Sequence, residues 1–216
     1  MSTEIKYTDW FNKPISQQQL GTMKEYRIKT FVDGILKMEE LHINRKDGTS
    51  SKMVTYFLDD NQDKNAILSK YSSISEKISC MIYENKKNVN GFMAWDYEAF
   101  GYDKTLSYKG TDVFDSRNRV IMHCGFDLVS GELITVNKKF YDDTNSLGYE
   151  NLVFIFNYRI NPKPGYGAYT VEDKYQSTDE IRLITDDKFV KWFPDFFKDH
   201  PYFKEIEPLI PTTTGI

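Results

Sequence analysis

The stretch VIMHCGFD, residues 120–127, sets His123 beside Cys124, two side chains that together could make a nucleophile and its general base. A strand sends successive side chains to opposite faces. Once this segment extends, Cys124 therefore goes with Val120, Met122 and Phe126, and His123 goes with Ile121. Cys124 is expected as a core thiol. His123 is expected at a surface, where it can serve a partner but not its neighbour.

A second pairing of chemical groups lies in AWDYEAFGYD. On a strand Asp96 and Glu98 share one face, close enough to divide acid and base roles if buried, and Trp95 and Tyr97 take the other. Two carboxylates flanked by aromatic rings would suit glycoside chemistry. The plainer reading is a half-exposed strand with acids toward water. Metal and phosphate chemistry find less support. There is no CxxC, HExxH or HxH, and DDNQDKNAILSKY lacks the central Gly and closing Glu of a calcium loop. Gly165 and Gly167 in PKPGYGAYT have no third glycine after them, and no P-loop or GxSxG occurs. The expectation is no cofactor, no metal and no catalytic residue.

What remains is a surface. Asp96, Glu98, Asp103, Asp112, Asp115, Asp142, Asp143 and Glu150 fall on strand ends and turns, interleaved with Tyr97, Tyr102, Tyr108, Tyr141 and Tyr149. If a sheet gathers them, Asp96, Glu98, Tyr102, Asp103, Tyr108, Asp112, Asp115, His123, Tyr141, Asp142, Asp143 and Glu150 form a partner-binding set. Tyrosines would anchor the partner and acids would steer a basic one.

The elements that must hold these residues are mostly strands. KEYRIKTFV (24–32) alternates and runs into Asp33-Gly34, a hairpin dipeptide. ILKMEELHI, a turn at Asp47-Gly48 and KMVTYFL complete an antiparallel meander. Residues 61–76 are expected as a short helix or loop. EKISCMIYE, FMAWDYEAF, RNRVIMHCGFD and ELITVNKKFYDD are expected as strands, and GYDKTLSYKGTD as a loop or edge hairpin. NLVFIFNYRI has the unbroken apolar run of a central strand covered on both faces, and NPKPGYGAYT must be a loop. Phe189, Trp192, Phe193, Phe196 and Phe197 recur at helical spacing, with Asp186 or Asp187 as cap and Pro194 as a break. The fold expected is one α+β domain over residues 1–216. An antiparallel sheet region of hairpins occupies 24–160, and short aromatic-rich helices occupy 186–210. Residues 46–60 also align without a gap over 129–143, as a Gly-bearing turn, a strand, an aromatic and an acidic stop.

Composition narrows the class. Fifteen Tyr, fifteen Phe and three Trp suit pleated sheets, and a net charge of −4 speaks against a nucleic-acid partner. Two cysteines are too few for a disulfide framework, and neither an export signal nor an apolar stretch of bilayer length is visible. These features point to a cytoplasmic protein with no membrane role.

FVDGILKMEEL…RKDGTSSKMVTYFLDD and FDSRNRVIMHCGFDLVSGELITVNKKFYDD resemble the strand–turn–strand units of bacterial hairpin-repeat proteins. Several of these are immunity proteins encoded beside polymorphic or contact-dependent toxins. The resemblance covers roughly 31–60 and 114–143. It implies a non-enzymatic protein that neutralises a cognate toxin domain by direct binding. With the acidic balance, a basic nuclease toxin is the expected partner. The alternatives are a carbohydrate-active or other acid–base enzyme using Asp96 and Glu98, and a structural or phage-assembly β-protein.

Overall fold

A computed structural model describes the chain apart from residues 11, 144–151, 161–167, 174–181 and 213–216, with backbone only at 173, 182 and 183. The protein is α+β and dominated by antiparallel sheet, as its alternation requires. Among the described residues, twelve strands hydrogen-bond in sequence order. Contacts group the chain into two compact units, Met1–Asn85 with Asp96–Lys109, and Lys86–Trp95 with Gly110–Ile216.

The first unit opens with β1 (Thr3–Asp9), β2 (Glu25–Val32), β3 (Ile35–Asn44) and β4 (Ser50–Phe57), each antiparallel to the next. At the β2–β3 turn Asp33 and Gly34 have φ of 49° and 80°, so both central residues take the left-handed conformation of a type I′ turn. Other turns use a five-residue closure with its fourth residue left-handed, namely Asn12, Gly48 and Lys104 here and Asn118 in the second unit. The chain then departs from a meander. Helix α1 (Lys64–Tyr71) carries it across so that β5 (Ile78–Val89) lies parallel to β4, because only a long crossover can join parallel neighbours. Asp63 caps α1 by accepting from the Asn65 amide at 2.9 Å. Leu68 packs with Cys80 and Ile82, which are 1% and 0% exposed.

Strands β6 (Phe92–Phe100) and β7 (Leu106–Phe114) follow. The segment expected as a loop or edge hairpin is a turn only over 101–105. The rest is β7, an interior strand between β6 and β8. Its polar residues at 107, 109, 111 and 112 masked the alternation. Strand β1 was likewise not anticipated.

The second unit contains β8 (Val120–Phe126), β9 (Leu133–Tyr141), β10 (Leu152–Tyr158), β11 (Tyr169–Asp173) and β12 (Arg182–Thr185), then α2 (Asp186–Trp192) and α3 (Phe196–Asp199). β10 is interior, and Val153 is buried beside Phe154. Phe154, Phe156 and Tyr158 are core, whereas Ile155 and Asn157 are half-buried. The glycine-rich loop lies almost wholly outside the described residues, and Tyr169 and Thr170 at its end begin β11. The helices break between Trp192 and Phe196, as Pro194 required. Thr185 is the N-cap residue of α2, in place of an aspartate; Asp186 and Asp187 occupy its first turn, where the helix dipole favours acids. Phe189 is fully buried, and Phe193, Phe196 and Phe197 pack on the core. Trp192 turns outward at 44% exposure because α2 ends there. Phe154, Phe156, Phe189 and Phe196 meet mostly edge to face, with centroids 5.1–6.2 Å apart. This is the geometry the ring quadrupole prefers.

Among the described residues, the segment 202–208 belongs to no strand. Its carbonyls are satisfied from below by Lys138, which is 0% exposed. The ammonium donates to the carbonyls of Tyr202, Glu205 and Pro208 at 2.8, 2.8 and 3.1 Å. It also sits 3.9 Å over the Tyr202 ring. The hydroxyls of Tyr158 and Tyr202 donate to Phe203 and Leu209. Burial pushes Lys138 down to about 7, against the pull of Glu207 and Glu205.

The two segments that align in sequence both form a turn and a strand. β4 then pairs with parallel β5, whereas β9 pairs with antiparallel β10, so the likeness stops at the strand.

Candidate functional site

The twelve residues expected to form one patch divide between the two units. In the first, Asp96 and Glu98 share a face of β6, with Tyr97 buried on the other. Their face is the one α1 approaches. Lys64, the first residue of α1, donates to Glu98 Oε2 at 2.8 Å and to Glu84 Oε1 at 2.7 Å. Burial alone would depress the Lys64 ammonium, but the two carboxylates outweigh it and raise it. Glu98 thus shares an ammonium with Glu84, and Asp96 accepts from Asn85 Nδ2 at 3.4 Å. Neither lines any of the clefts described below.

On the opposite face, Phe57, Tyr83, Tyr97 and Tyr108 form a row across four strands, with successive centroids 4.8, 5.4 and 6.0 Å apart. Tyr108 is therefore a packed member of that row. Tyr102 and Asp103 differ. The 101–105 turn presents them at an open cleft of about 400 Å³ lined also by Ser72, Ile74, Ser75 and Lys104. Tyr102 is 41% and Ile74 68% exposed. The Thr105 hydroxyl and amide both donate to Asp103 and hold its carboxyl below the usual range, so it stays charged. A Cβ at Gly101 would sit 3.0 Å from Asp103 Oδ1.

In the second unit Asp112 is buried and bonds His123 Nδ1 at 2.7 Å. His123 and Cys124 do point apart, as alternation dictates. Cys124 is 0% exposed, and the His123 side chain is 31% exposed. The pair continues a polar row that sequence reasoning missed. His123 faces Asn137 across β8–β9, Asn137 Nδ2 donates to Asn157 Oδ1, and Asn157 Nδ2 donates to Glu172 at 3.0 Å. The only sequence trace is an amide interrupting an apolar strand, as in LVFIFNYRI.

Asp115 and Asp143 meet arginines. Asp115 accepts from Arg119 Nε at 2.7 Å, and Asp143 accepts from Arg117 and Arg119 at 2.6 and 2.7 Å. Tyr141 lies 4.4 Å from the Arg119 guanidinium. Asp142 exerts its charge on His200, whose imidazole burial lowers despite Asp199 and Asp142. Glu150 and Tyr149 lie outside the described residues.

A further cluster in the first unit was not anticipated. Glu40 accepts from His42 Nε2 at 3.2 Å and from Lys52 at 2.9 Å, and Tyr26 stacks on His42 at 4.6 Å. The His42 hydrogen bond, with Lys52, carries Glu40 down to about 2 against its burial. Three strands contribute, so no local motif announces it. Among the described residues no group of three or more potential ligands could hold a metal ion. No helix there is long and apolar enough to cross a membrane.

No family model and no curated protein matches the chain. A DUF1329 family protein from Desulfovibrio piger is similar in solved structure at 11% identity, over 94% of this chain and 89% of that one, with a TM-score of 0.31. A superposition that loose says nothing of shared chemistry.

Proposed function

We propose that this protein acts in the cytoplasm as an inhibitor that binds a toxin domain, a basic nuclease, through the Tyr102–Asp103 end of its first unit. The observation that supports this most is the exposed Tyr102 and Ile74 at the lip of one cleft, beside a carboxylate held in its charged form. Tyrosine anchors and apolar neighbours supply most of the affinity of such interfaces, and a fixed acid steers a basic partner. Most of the other acids expected to contribute are engaged within the chain: Glu98 with Lys64, Asp112 with His123, and Asp115 and Asp143 with arginines. The steering charge is thus narrower than a whole acidic face.

The test is binding to the product of the adjacent open reading frame, measured by calorimetry and by protection of cells expressing it. Tyr102→Ala is expected to weaken binding by at least ~2 kcal/mol, about thirtyfold, as an interface anchor does. Asp103→Lys is expected to slow association with a stronger effect at low salt. Absence of binding, or full protection by a Tyr102→Ala/Ile74→Asp double variant that folds normally, would overturn the reading.

A further inference from the structure

Tyr102 and Ile74 stand at the lip of the first unit's cleft, and Ser72 belongs to its lining. Ser72 is 7% exposed, and among the described residues its buried hydroxyl has no hydrogen-bond partner. A buried hydroxyl left unpaired is destabilising, so folded proteins keep few of them. We propose that the cleft receives an arginine side chain of the partner, with Tyr102, Asp103 and Ser72 as its contacts. This deepens the toxin-binding reading and rests on it for the partner's identity.

The backbone around Ser72 is fixed while its side chain is idle. Ser72 is the C-cap of α1, where its amide donates to the Leu68 carbonyl at 3.0 Å. The serines that follow are engaged. Ser73 exchanges backbone hydrogen bonds with Ile78, and its hydroxyl accepts from the Glu76 amide and meets that of Ser75. One rotatable bond sets a serine hydroxyl, and its staggered positions let the oxygen turn toward a donor that enters the cleft. Asp103 Oδ1 takes the Thr105 amide and hydroxyl, and among the described residues Oδ2 has no partner. Tyr102, 41% exposed, supplies a ring. A hydroxyl acceptor, a carboxylate oxygen and an aromatic ring therefore line one cleft. A guanidinium suits all three, because it stacks on a ring while its N–H groups donate outward in a fixed plane.

Lys104 also lines the cleft, and this favours arginine over lysine. Asp103 and Lys104 together bring the charge of the lining to zero, so a compact ammonium, binding as a point charge, gains little there. A guanidinium keeps its stacking and its directional hydrogen bonds, and it is more weakly hydrated. Ile74, 68% exposed, offers apolar cover for the methylene stem. A volume of about 400 Å³ takes one such side chain.

The experiment is an amide NMR titration of the ¹⁵N-labelled full chain with the Nα-acetyl amides of arginine, lysine and citrulline. The arginine amide is expected to give saturable shifts at Ser72, Tyr102 and Asp103, and the other two to bind at least fivefold more weakly. Ser72→Ala should lower the affinity for the arginine amide at least threefold. The melting temperature of the free variant should stay level or rise, because the hydroxyl it loses is unpaired. Failure of the arginine amide to saturate, or equal affinity for the lysine or citrulline amide, overturns the proposal. So does a Ser72→Ala protein that melts lower or binds as tightly as the parent, since the hydroxyl would then serve the fold or no ligand. No toxin enters these titrations, so the two readings fail separately. A toxin that binds through Tyr102 and Ile74 would leave the first standing even where arginine recognition is refuted.

Discussion

Lys138 offers the sharpest test of how this fold is held. Replacing it with Met keeps the length of the side chain and removes the charge and every donor. At pH 9 the buried amine is neutral and has two N–H groups to give, so Lys138→Met leaves two buried carbonyls unpaired. At ~1–3 kcal/mol each, the loss is ~2–6 kcal/mol. Lowering the pH adds a proton that burial disfavours. Because the folded value, about 7, lies below the ordinary 10.5, the unfolded chain binds more protons between those limits. Wild-type stability contributed by this group therefore rises with pH through that window. Between pH 7 and pH 9 the gain is about 2 kcal/mol, at 1.36 kcal/mol per unit and allowing for half-titration at pH 7. The variant lacks this gain. Urea unfolding of both proteins at pH 6, 7.5 and 9 should show the stability gap widening by that amount toward alkaline pH. Tyr158 and Tyr202, both raised by burial, stay protonated throughout and cancel in the difference. A gap that is constant, or that widens toward acid, would refute the reasoning. It would mean that three carbonyls and a tyrosine face hold the ammonium against desolvation.

Two further outcomes rest on separate regions. Glu40, with an ordinary value of 4.5 and a folded one of about 2, contributes stability that is complete above pH 4.5 and lost as pH falls toward 2. Glu40→Gln should remove up to ~3 kcal/mol of that acid limb, read from unfolding curves at pH 5, 3.5 and 2.5. An unaltered acid limb would show that the His42 and Lys52 contacts are not kept in solution. Cys80 is pushed up to about 12 by burial, and both thiols are 0–1% exposed. A thiol-reactive dye at pH 8 should therefore modify neither cysteine in the folded protein and both after denaturation. Rapid reaction of the native protein would contradict that packing.

Alternation carried most of the strand assignments because one face of each strand is apolar. It separated His123 from Cys124, and it set Asp96 and Glu98 opposite Tyr97. It lost β7, where serine, lysine, threonine and aspartate occupy positions on both faces, and β1, where the apolar residues are few. The parallel β4–β5 pair had no local signature. Pairing direction depends on where a crossover helix packs, and α1 is held by Leu68 and by Lys64 against strand residues 12 to 34 positions away. The charged sites were hidden for the same reason. Arg119 finds Asp143 just past the end of β9, 24 residues on, and Glu40 finds Lys52 across a hairpin. Spacing along the chain reports which residues share a face, and only packing reports which opposite charges meet on it.

The amino-acid sequence by itself determined the sheet-dominated class, the left-handed turn at Asp33-Gly34, the break at Pro194 and the burial of both thiols, since each follows from short-range sterics or periodicity. Tertiary structure alone decided which acids remain available to a partner. Asp103 keeps its charge at an exposed turn because its hydrogen bonds are local. Glu98, Asp115 and Asp143 are claimed by cations that the fold brings from other elements.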